Sequence, residues 1–400
     1  MRKTWIVLLV VVIAIILYAG TTLWLAGNET ELIYQPVAEK LAEPTYSDLD
    51  IKRIELTTSD SVQLVGWEIA APQNDSLDTW LIYFHDRGQT VASNLEEYLF
   101  LRGMGLNILA IDYRGFGESE GEPTEEGLGL DGKACHYHIR FEKEIPSKRI
   151  IMYGVGLGAA VMFDVALDVN AAAVVAIDPY LSTSEMVHNR YPLFPVSWFV
   201  DAKFNSLERI PKINTPKLLV PPPTDTGIAN NDALQLFDAA SKYKTLFKWK
   251  EYFGNSYNHS FYTELSRLLV ANSPVGLSLK TPPLPLADSL LVNIENKGID
   301  NTVKLYQKIK ASDSTNYDMS EYQLDRLGNI LLNENRIQEA VEILRLYVNS
   351  FPNSFYAHNQ LARALMKSGN SESAKRHLRL SLGLKPDNNP ATELLQGVEP

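Results

Sequence analysis

The stretch that decides the fold of this chain is Arg149-Ile-Ile-Met-Tyr-Gly-Val-Gly-Leu-Gly-Ala-Ala-Val161. It begins with β-branched and aromatic residues, Ile150 to Tyr153, which favour a buried strand. Three alternating glycines follow, and the mostly apolar run from Ala159 to Val169 is long enough for a helix. The stretch therefore predicts a strand, a tight turn and a helix in direct succession.

This succession is the setting of a nucleophile elbow, whose pattern is G-x-S-x-G. Gly154 and Gly158 match the two outer positions, but Gly156 stands where the pattern has serine. The elbow holds its central residue in a backbone conformation that costs a non-glycine about 1–3 kcal/mol, whereas glycine adopts it with little strain. We therefore predict an intact turn without an attacking oxygen, at which no acyl-enzyme can form.

Further short apolar runs alternate with longer stretches that can hold helices. These runs are Trp80–Phe84, Asn107–Ile111, Ala173–Ile177 and Leu218–Val220. The alternation predicts an α/β protein with a mostly parallel sheet covered on both faces. The catalytic groups of such sheets gather at the carboxyl ends of the strands. Upstream, residues 32–73 predict a β-hairpin that precedes the repeat of strands and helices.

An uncharged apolar run over residues 5–25 is long enough to span a membrane as a helix. Trp5 and Trp24 fall near its two ends, as interfacial aromatic residues do. Arg2 and Lys3 precede it, so the positive-inside rule predicts a cytoplasmic N-terminus and a periplasmic or other extracytoplasmic location for the rest. The alternative is a cleaved signal peptide, but the run exceeds the ~7–15 apolar residues of such a segment.

The C-terminal part has a different pattern, with a period of 34 residues. Leu327, Ala340, Leu344 and Pro352 recur as Leu361, Ala374, Leu378 and Pro386. This period resembles the tetratricopeptide repeat, which implies stacked helix pairs that bind peptide segments or other proteins in a concave groove. The expected organisation is a transmembrane anchor over residues 1–27, a sheet domain over 28–271, a proline-rich linker over 272–289 and helical repeats over 290–390.

Several segments outside the elbow point to one family. They are Leu32-Ile-Tyr-Gln-Pro36, Asp112-Tyr-Arg-Gly-Phe-Gly-Glu-Ser119, Glu125-Glu-Gly-Leu-Gly-Leu-Asp131 and Phe204-Asn-Ser-Leu207. Together with the elbow they resemble the α/β-hydrolase fold, nearest the membrane-anchored serine hydrolases of the bud-emergence-protein type. In such enzymes the nucleophile, the acid and the histidine follow in that order along the chain. The resemblance implies that Asp225 and His259 are the acid and the histidine of a triad whose nucleophile position is vacant at Gly156.

The resemblance also locates the oxyanion-hole region, at Asp86, Arg87 and Leu157. The family's His-Gly turn after the third strand reads His85-Asp86-Arg87-Gly88 here. A carboxylate is unfavourable where negative charge must develop, because the hole works through aimed donors. Arg87 could neutralise Asp86, or the two side chains could block the cavity.

Composition narrows the classes of ligand. The net charge of -11 argues against non-specific binding to nucleic acid or anionic lipid. The single cysteine, Cys135, excludes an intrachain disulfide and a cysteine-cluster zinc site. No cluster has the spacing of metal ligands, and Gly154-x-Gly-x-x-Ala159 fits a dinucleotide fingerprint only superficially because it lies in the middle of the predicted sheet. No cofactor is therefore expected.

Two functional hypotheses follow. The first is a pseudo-hydrolase, tethered by one helix, whose sheet domain could retain a small acyl ligand and whose residues 290–390 bind a protein or peptide. The alternative is an active esterase or peptidase of small acyl substrates that uses a non-standard nucleophile. Ser182 and Ser184 follow the predicted sixth strand and could approach the site, although they lack the elbow's presentation.

Overall fold

The computed structural model describes residues 2–38, 46–72, 78–223, 232–249, 258–273 and 275–397. The chain divides into two compact units. The sheet unit comprises Met1–Ala42 and Ile51–Pro282, and the helical unit comprises Glu43–Asp50 and Pro283–Pro400. The short segment 43–50 thus belongs to the helical unit although it precedes the first strand, a placement that no sequence pattern indicated.

The sheet unit begins with helix α1 (Arg2–Ala26). Its stretch Trp5–Ala26 contains 22 residues and has a mean hydropathy of 2.8. At the rise of an α-helix this length is about 33 Å, close to the thickness of the hydrocarbon core of a bilayer. Nearly all of its apolar side chains are exposed, so the helix does not serve as part of a protein core. Helix α1 is the candidate membrane span that the sequence predicted.

The segment after helix α5 (Thr183–Arg190) packs against α1. The Tyr18 hydroxyl donates to the Leu193 carbonyl at 2.6 Å, and the Tyr18 ring stacks on Phe194 with centroids 5.2 Å apart. Trp198, in the same segment, is 80% exposed. Val196, in the same segment, is buried in the apolar cluster of the sheet unit, so the segment packs both on that cluster and on α1.

Eight strands form one sheet in the order β1-β2-β4-β3-β5-β6-β7-β8. They are β1 (Ile51–Thr57), β2 (Gln63–Ile69), β3 (Thr79–Phe84), β4 (Leu106–Ile111), β5 (Ile150–Val155), β6 (Ala173–Ile177), β7 (Lys217–Val220) and β8 (Lys244–Leu246). Strand β2 pairs antiparallel with β1 and β4, and all other pairs are parallel. The predicted α/β-hydrolase sheet is confirmed, and the hairpin expected over residues 32–73 is formed by β1 and β2 alone, because Thr30–Tyr34 is helical.

Helices cover both faces of this sheet. They are α2 (Leu95–Gly103), α3 (Glu125–Tyr137), α4 (Leu157–Asp168), α6 (Ser206–Arg209), α7 (Asp232–Ala239) and α8 (His259–Asn272). Successive strand side chains point to opposite faces. Accordingly Met152 packs in one apolar cluster with α3, α4 and α7, whereas Tyr153 packs in a second cluster with α2 and α8. Strand β5 is therefore buried on both sides, which fixes the position of the turn that follows it.

Parts of the predicted linker over residues 272–289 are buried, although many of its described residues are exposed. Leu277 is buried in the cluster under α2 and α8. The Lys280 amide donates to the Met104 carbonyl at 3.0 Å, and the Ser266 hydroxyl donates to the Lys280 carbonyl at 2.8 Å. The first helix of the helical unit begins at Leu286, inside the same stretch. Leu277 and Lys280 are therefore held on the sheet unit, whereas Pro283 and Pro285 belong to the helical unit, whose first helix follows directly.

The helical unit contains seven helices among its described residues. They are α9 (Leu286–Lys297), α10 (Ile299–Ser312), α11 (Glu321–Asn333), α12 (Ile337–Ser350), α13 (Phe355–Lys367), α14 (Ser371–Leu384) and α15 (Asn389–Gln396). Two short strands, β9 (Leu284–Pro285) and β10 (Tyr317–Asp318), pair in parallel. The matched positions Leu327 and Leu361 are both buried. The 34-residue period therefore corresponds to helix pairs stacked around one apolar core, as predicted.

Candidate active site

Gly156 forms the turn between β5 and α4, and its backbone has φ of 51° and ψ of -115°. Its amide donates to the Ile177 carbonyl at 2.9 Å, at the end of the neighbouring strand β6. A positive φ of this kind favours glycine. The turn has therefore the strained geometry of an elbow, and its central residue is the one type that adopts it at low cost.

The outer glycines of the pattern allow α4 to lie directly against the strands. A Cβ atom on Gly154 would lie 2.6 Å from the Ala159 Cα, and one on Gly158 would lie 2.1 Å from the Phe84 carbonyl oxygen. Real Cβ atoms do not come this close to backbone atoms, so any larger residue would push α4 away. Both positions are fixed by packing, independently of any chemistry at Gly156.

The Asp86 carboxylate, just after β3, occupies the donors of the turn. Its Oδ1 atom accepts hydrogen bonds from the backbone amides of Leu157 and Arg87, both at 2.8 Å. In this fold the oxyanion hole consists of the amide after the nucleophile and an amide from the loop after β3. The structure brings Asp86, Arg87 and Leu157 together at this turn, with Asp86 Oδ1 hydrogen-bonded to both amides.

The same carboxylate also occupies the space above Gly156. A Cβ atom built on Gly156 would lie 2.2 Å from Asp86 Oδ1 and 2.4 Å from Asp86 Cγ. A serine at this position would therefore collide with Asp86 unless the carboxylate turned away. Of the two expectations for Asp86 and Arg87, neutralisation and obstruction, the geometry matches obstruction by Asp86.

The electrostatics of Asp86 combine opposing effects. Burial raises the pKa of the Asp86 carboxyl, whereas the amides of Leu157 and Arg87, and then the Arg87 charge, lower it. The Arg87 guanidinium also donates to the Leu32 carbonyl at 3.4 Å. Tyr180, which the sequence did not single out, is close enough for the Asp86 charge to add to burial in raising the Tyr180 pKa. The site is thus closely packed around an acidic group.

His85 supports the backbone of this turn. Its side chain is buried, its Nδ1 atom lies 2.7 Å from the Asp86 carbonyl oxygen, and its ring centroid lies 4.2 Å from that of Tyr113. Burial lowers the pKa of His85 to about 4, so the ring is neutral at pH 7 and Nδ1 carries the proton. Because Nδ1 donates to the carbonyl, His85 holds Asp86 in the turn.

His259, the histidine that the resemblance implies, is the first residue of α8. The Asn258 side chain caps this helix by accepting from the amides of Ser260 and Phe261 at 3.0 and 3.3 Å. The His259 Nε2 atom lies 2.8 Å from the Pro282 carbonyl oxygen. Since a carbonyl only accepts, Nε2 carries the proton. In a working triad that atom takes the proton of the nucleophile, whereas here it is hydrogen-bonded to the Pro282 carbonyl.

Asp225, the predicted acid, lies outside the described residues. The segment between β7 and that position is held in part by Trp249, whose Nε1 donates to the Pro221 carbonyl at 2.8 Å. Whether Asp225 meets His259 therefore stays a prediction. Pro221, Pro222 and Pro223 have no backbone N–H to donate.

The other candidate nucleophiles have structural roles. The Ser119 hydroxyl donates to the Asp112 carbonyl at 2.7 Å and accepts from the Val65 amide at 2.9 Å. Ser182 caps α5 by accepting from the Glu185 amide at 3.1 Å. Cys135 is buried, which raises its pKa and keeps it a thiol. Across the described ranges, no group of three or more His, Cys, Asp or Glu side chains could hold a metal ion.

Comparisons with known proteins give matches to both the sheet unit and the helical unit. The tetratricopeptide repeat family matches residues 355–388. Uncharacterized protein Rv2307c of Mycobacterium tuberculosis is 27% identical over 235 residues, covering 59% of this chain and 83% of that protein. Protein bem46 of Schizosaccharomyces pombe is 28% identical over 202 residues, covering 46% and 67%. The alpha/beta hydrolase domain-containing protein WAV2 of Arabidopsis thaliana is 31% identical over 152 residues, covering 36% and 49%.

Proposed function

Because this chain is a homologue of α/β-hydrolase-domain proteins and contains a tetratricopeptide repeat, we propose that it is a membrane-anchored pseudo-hydrolase. Its role is to bind a protein partner through its helical unit, and its sheet unit does not hydrolyse a substrate. The observation that carries this proposal is the Asp86 carboxylate, which accepts from Leu157 and Arg87 and fills the space above Gly156.

Covalent acyl transfer requires three components at this turn. An attacking atom must project from the elbow, a histidine must accept its proton, and two donors must be free for the developing oxyanion. Gly156 supplies no attacking atom, the His259 Nε2 proton is donated to Pro282, and Asp86 occupies the donors. Since each component is engaged or missing for its own reason, restoring one of them alone does not restore catalysis.

Helix α1, as the membrane anchor, determines on which side of the membrane the partner binds. Helix α1 crosses the membrane with Arg2 and Lys3 on the cytoplasmic side, and both units lie on the opposite side. The tetratricopeptide match and the stacked helix pairs support partner binding, because such stacks present a concave surface to a peptide. The protein is then a scaffold held at the membrane surface.

A fluorophosphonate probe tests the silent site in the full-length chain, purified in detergent micelles. We expect no covalent labelling of the unmodified chain, with an active serine hydrolase labelled in parallel as the positive control. Stoichiometric labelling that is lost in His259→Ala would overturn the proposal, because it would reveal a nucleophile activated by that histidine.

The paired variant Asp86→Gly/Gly156→Ser tests why the site is silent. We expect Gly156→Ser alone to remain unlabelled, because the Asp86 carboxylate still occupies the hole. Labelling of the double variant would show that obstruction and the missing hydroxyl together account for the silence. Labelling of Gly156→Ser alone would contradict the role given to Asp86.

A further inference from the structure

Residues 46–50, here called the Tyr46 segment, lie on the helical unit without being part of any helix. The Tyr46 side chain is only 9% exposed, and its hydroxyl donates to Asp325 Oδ2 on α11 at 2.9 Å. Leu49, which closes a turn back to the Tyr46 carbonyl, is also buried. This segment is therefore seated like a bound peptide, although it belongs to the same chain.

Two aromatic side chains flank the Tyr46 ring. Tyr322 on α11 and Tyr356 on α13 contact it edge to face, with centroids 5.7 and 5.6 Å away. Edge-to-face contacts of this kind are specific in geometry and add to the burial of apolar surface. Helices α11 and α13 are the first helices of the two 34-residue repeats, so both repeats contribute to the tyrosine site.

The acceptor at the base of this site is itself held in place. Asp325 is 4% exposed, and its Oδ1 accepts from Asn329 at 3.0 Å and from Gln360 at 2.6 Å. The Gln360 amide also donates to the Tyr356 hydroxyl at 3.0 Å. A buried carboxylate supported on one oxygen leaves the other for the hydroxyl of the ligand, which favours tyrosine over phenylalanine.

The next two residues are recognised through polar contacts at the start of α11. The Ser47 amide donates to Glu321 Oε1 at 3.1 Å, and the Ser47 hydroxyl donates to the same oxygen. In return, the Glu321 amide donates to Asp48 Oδ2 at 2.9 Å. Asp48 thus lies at the N-terminus of α11, where burial raises its pKa to about 6 although the hydrogen bond from the Glu321 amide lowers it. Glu321 is fully buried and also accepts from Tyr347 and Ser354, so it too is fixed in orientation.

We propose that this surface is a peptide-recognition site for a protein partner that presents a tyrosine, a serine and an aspartate in succession, and that residues 46–48 occupy it as an internal competitor. The inference rests on the proposed function, in which the helical unit binds a partner. Each of the three side chains has its own polar contact, so the surface is complementary to the sequence of the segment as well as to its shape. A partner must therefore reproduce this chemistry and displace Tyr46.

Displacement is governed by effective concentration. A segment on the same chain competes at a local concentration on the order of millimolar. A free peptide of the same sequence therefore cannot compete when present at micromolar concentration, unless the internal copy is weakened. Removing the Tyr46 ring weakens that copy and leaves the recognising side chains of α11 and α13 unchanged.

The test uses a fluorescent peptide with the sequence of residues 43–52, Glu-Pro-Thr-Tyr-Ser-Asp-Leu-Asp-Ile-Lys, and the full-length chain in detergent micelles. Fluorescence polarisation should show no binding to the unmodified chain and saturable binding to Tyr46→Ala. Tyr137→Ala, which removes an exposed tyrosine elsewhere, is the matched control and should behave as the unmodified chain. A peptide with phenylalanine in place of tyrosine should bind Tyr46→Ala about tenfold more weakly, since one hydrogen bond to a charged group is lost.

Failure of Tyr46→Ala to bind the peptide would overturn the proposal, provided that circular dichroism shows unchanged helix content. Equal binding of the tyrosine and phenylalanine peptides would overturn the assignment of Asp325 as the acceptor that recognises the tyrosine hydroxyl. Neither result bears on the silent catalytic site, which the fluorophosphonate experiment tests separately. A partner captured elsewhere on the helical unit would preserve the proposed function while excluding this site.

Discussion

Asp86 Oδ1 lies 2.8 Å from the Leu157 amide nitrogen, the donor that in an enzyme of this fold receives the oxyanion. The two residues are 71 positions apart in the chain and meet because β3 and β5 are neighbours in the sheet. In this position the Asp86 carboxylate lies where a side chain at residue 156 would project. The effects of substitutions at positions 86 and 156 on the free energy of unfolding should therefore be coupled.

Gly156→Ser should destabilise the chain, and Asp86→Gly should reduce that effect. A serine with φ near 51° carries backbone strain of about 1–3 kcal/mol, and its Cβ meets the Asp86 carboxylate. Without that carboxylate only the strain remains, so we expect a coupling free energy of about 0.5–3 kcal/mol. Urea unfolding of the two single variants and the double variant measures it. Additive changes would contradict the direct contact.

Asp325 should make stability depend on pH between 3.8 and about 6. Burial raises the pKa of this carboxyl from 3.8 to about 6. Between these values the folded state binds more protons than the unfolded state, so its contribution to stability falls as pH rises. Asp325→Asn keeps an oxygen acceptor but cannot titrate. The difference in unfolding free energy between the unmodified chain and this variant, measured at pH 4 to 7, should change in that window and level off above it. A flat difference would contradict the shifted pKa.

Gly328→Ala and Gly383→Ala form a matched pair in the helical unit. A Cβ atom on Gly328 would lie 2.5 Å from Leu344 Cδ2, whereas one on Gly383 meets nothing within 4 Å. We expect Gly328→Ala to cost about 1–3 kcal/mol because the crossing of α11 and α12 is overpacked. Gly383→Ala should instead stabilise helix α14 by about 0.5–1 kcal/mol. Thermal unfolding followed by circular dichroism distinguishes them, and equal shifts would refute the close helix crossing.

The proposed membrane orientation predicts the accessibility of introduced cysteines. The native Cys135 is buried and its pKa is raised, so it contributes little background. On intact cells a membrane-impermeant maleimide should label Ser371→Cys, at an exposed position of α14, and should leave Lys3→Cys unlabelled. Permeabilised cells should give labelling of both variants. The reverse pattern on intact cells would invert the orientation.

Local patterns were sufficient to predict the elbow and the repeats. The glycine pattern at positions 154, 156 and 158 is local and marks the turn, although Gly158 also allows a close approach to Phe84 of the distant strand β3. The repeats are visible because Ala340 and Ala374 recur where helices cross, and both are buried. Periodicity and turn chemistry reflect contacts between residues that are close in the sequence, so these parts of the fold could be predicted from the sequence alone.

The remaining features depend on contacts between distant positions. The orientation of the Asp86 carboxylate depends on the missing side chain at Gly156, and the contact of His259 with Pro282 depends on how an extended segment packs. Tyr46 and Asp325 are 279 residues apart. A tyrosine in a short polar segment carries no periodic signal, so its partner could be identified only once the chain was folded.

The arrangement at Gly156 has an evolutionary consequence. A working hydrolase must keep two amides vacant for a guest and hold a side chain in a costly conformation, so selection for chemistry opposes selection for durability. Here the Leu157 and Arg87 amides donate to the Asp86 carboxylate, and Gly156 adopts the positive φ of the turn without side-chain strain. Under the proposed function, mutational drift around this corner is limited by how well the neighbouring residues pack together, and not by a requirement for turnover.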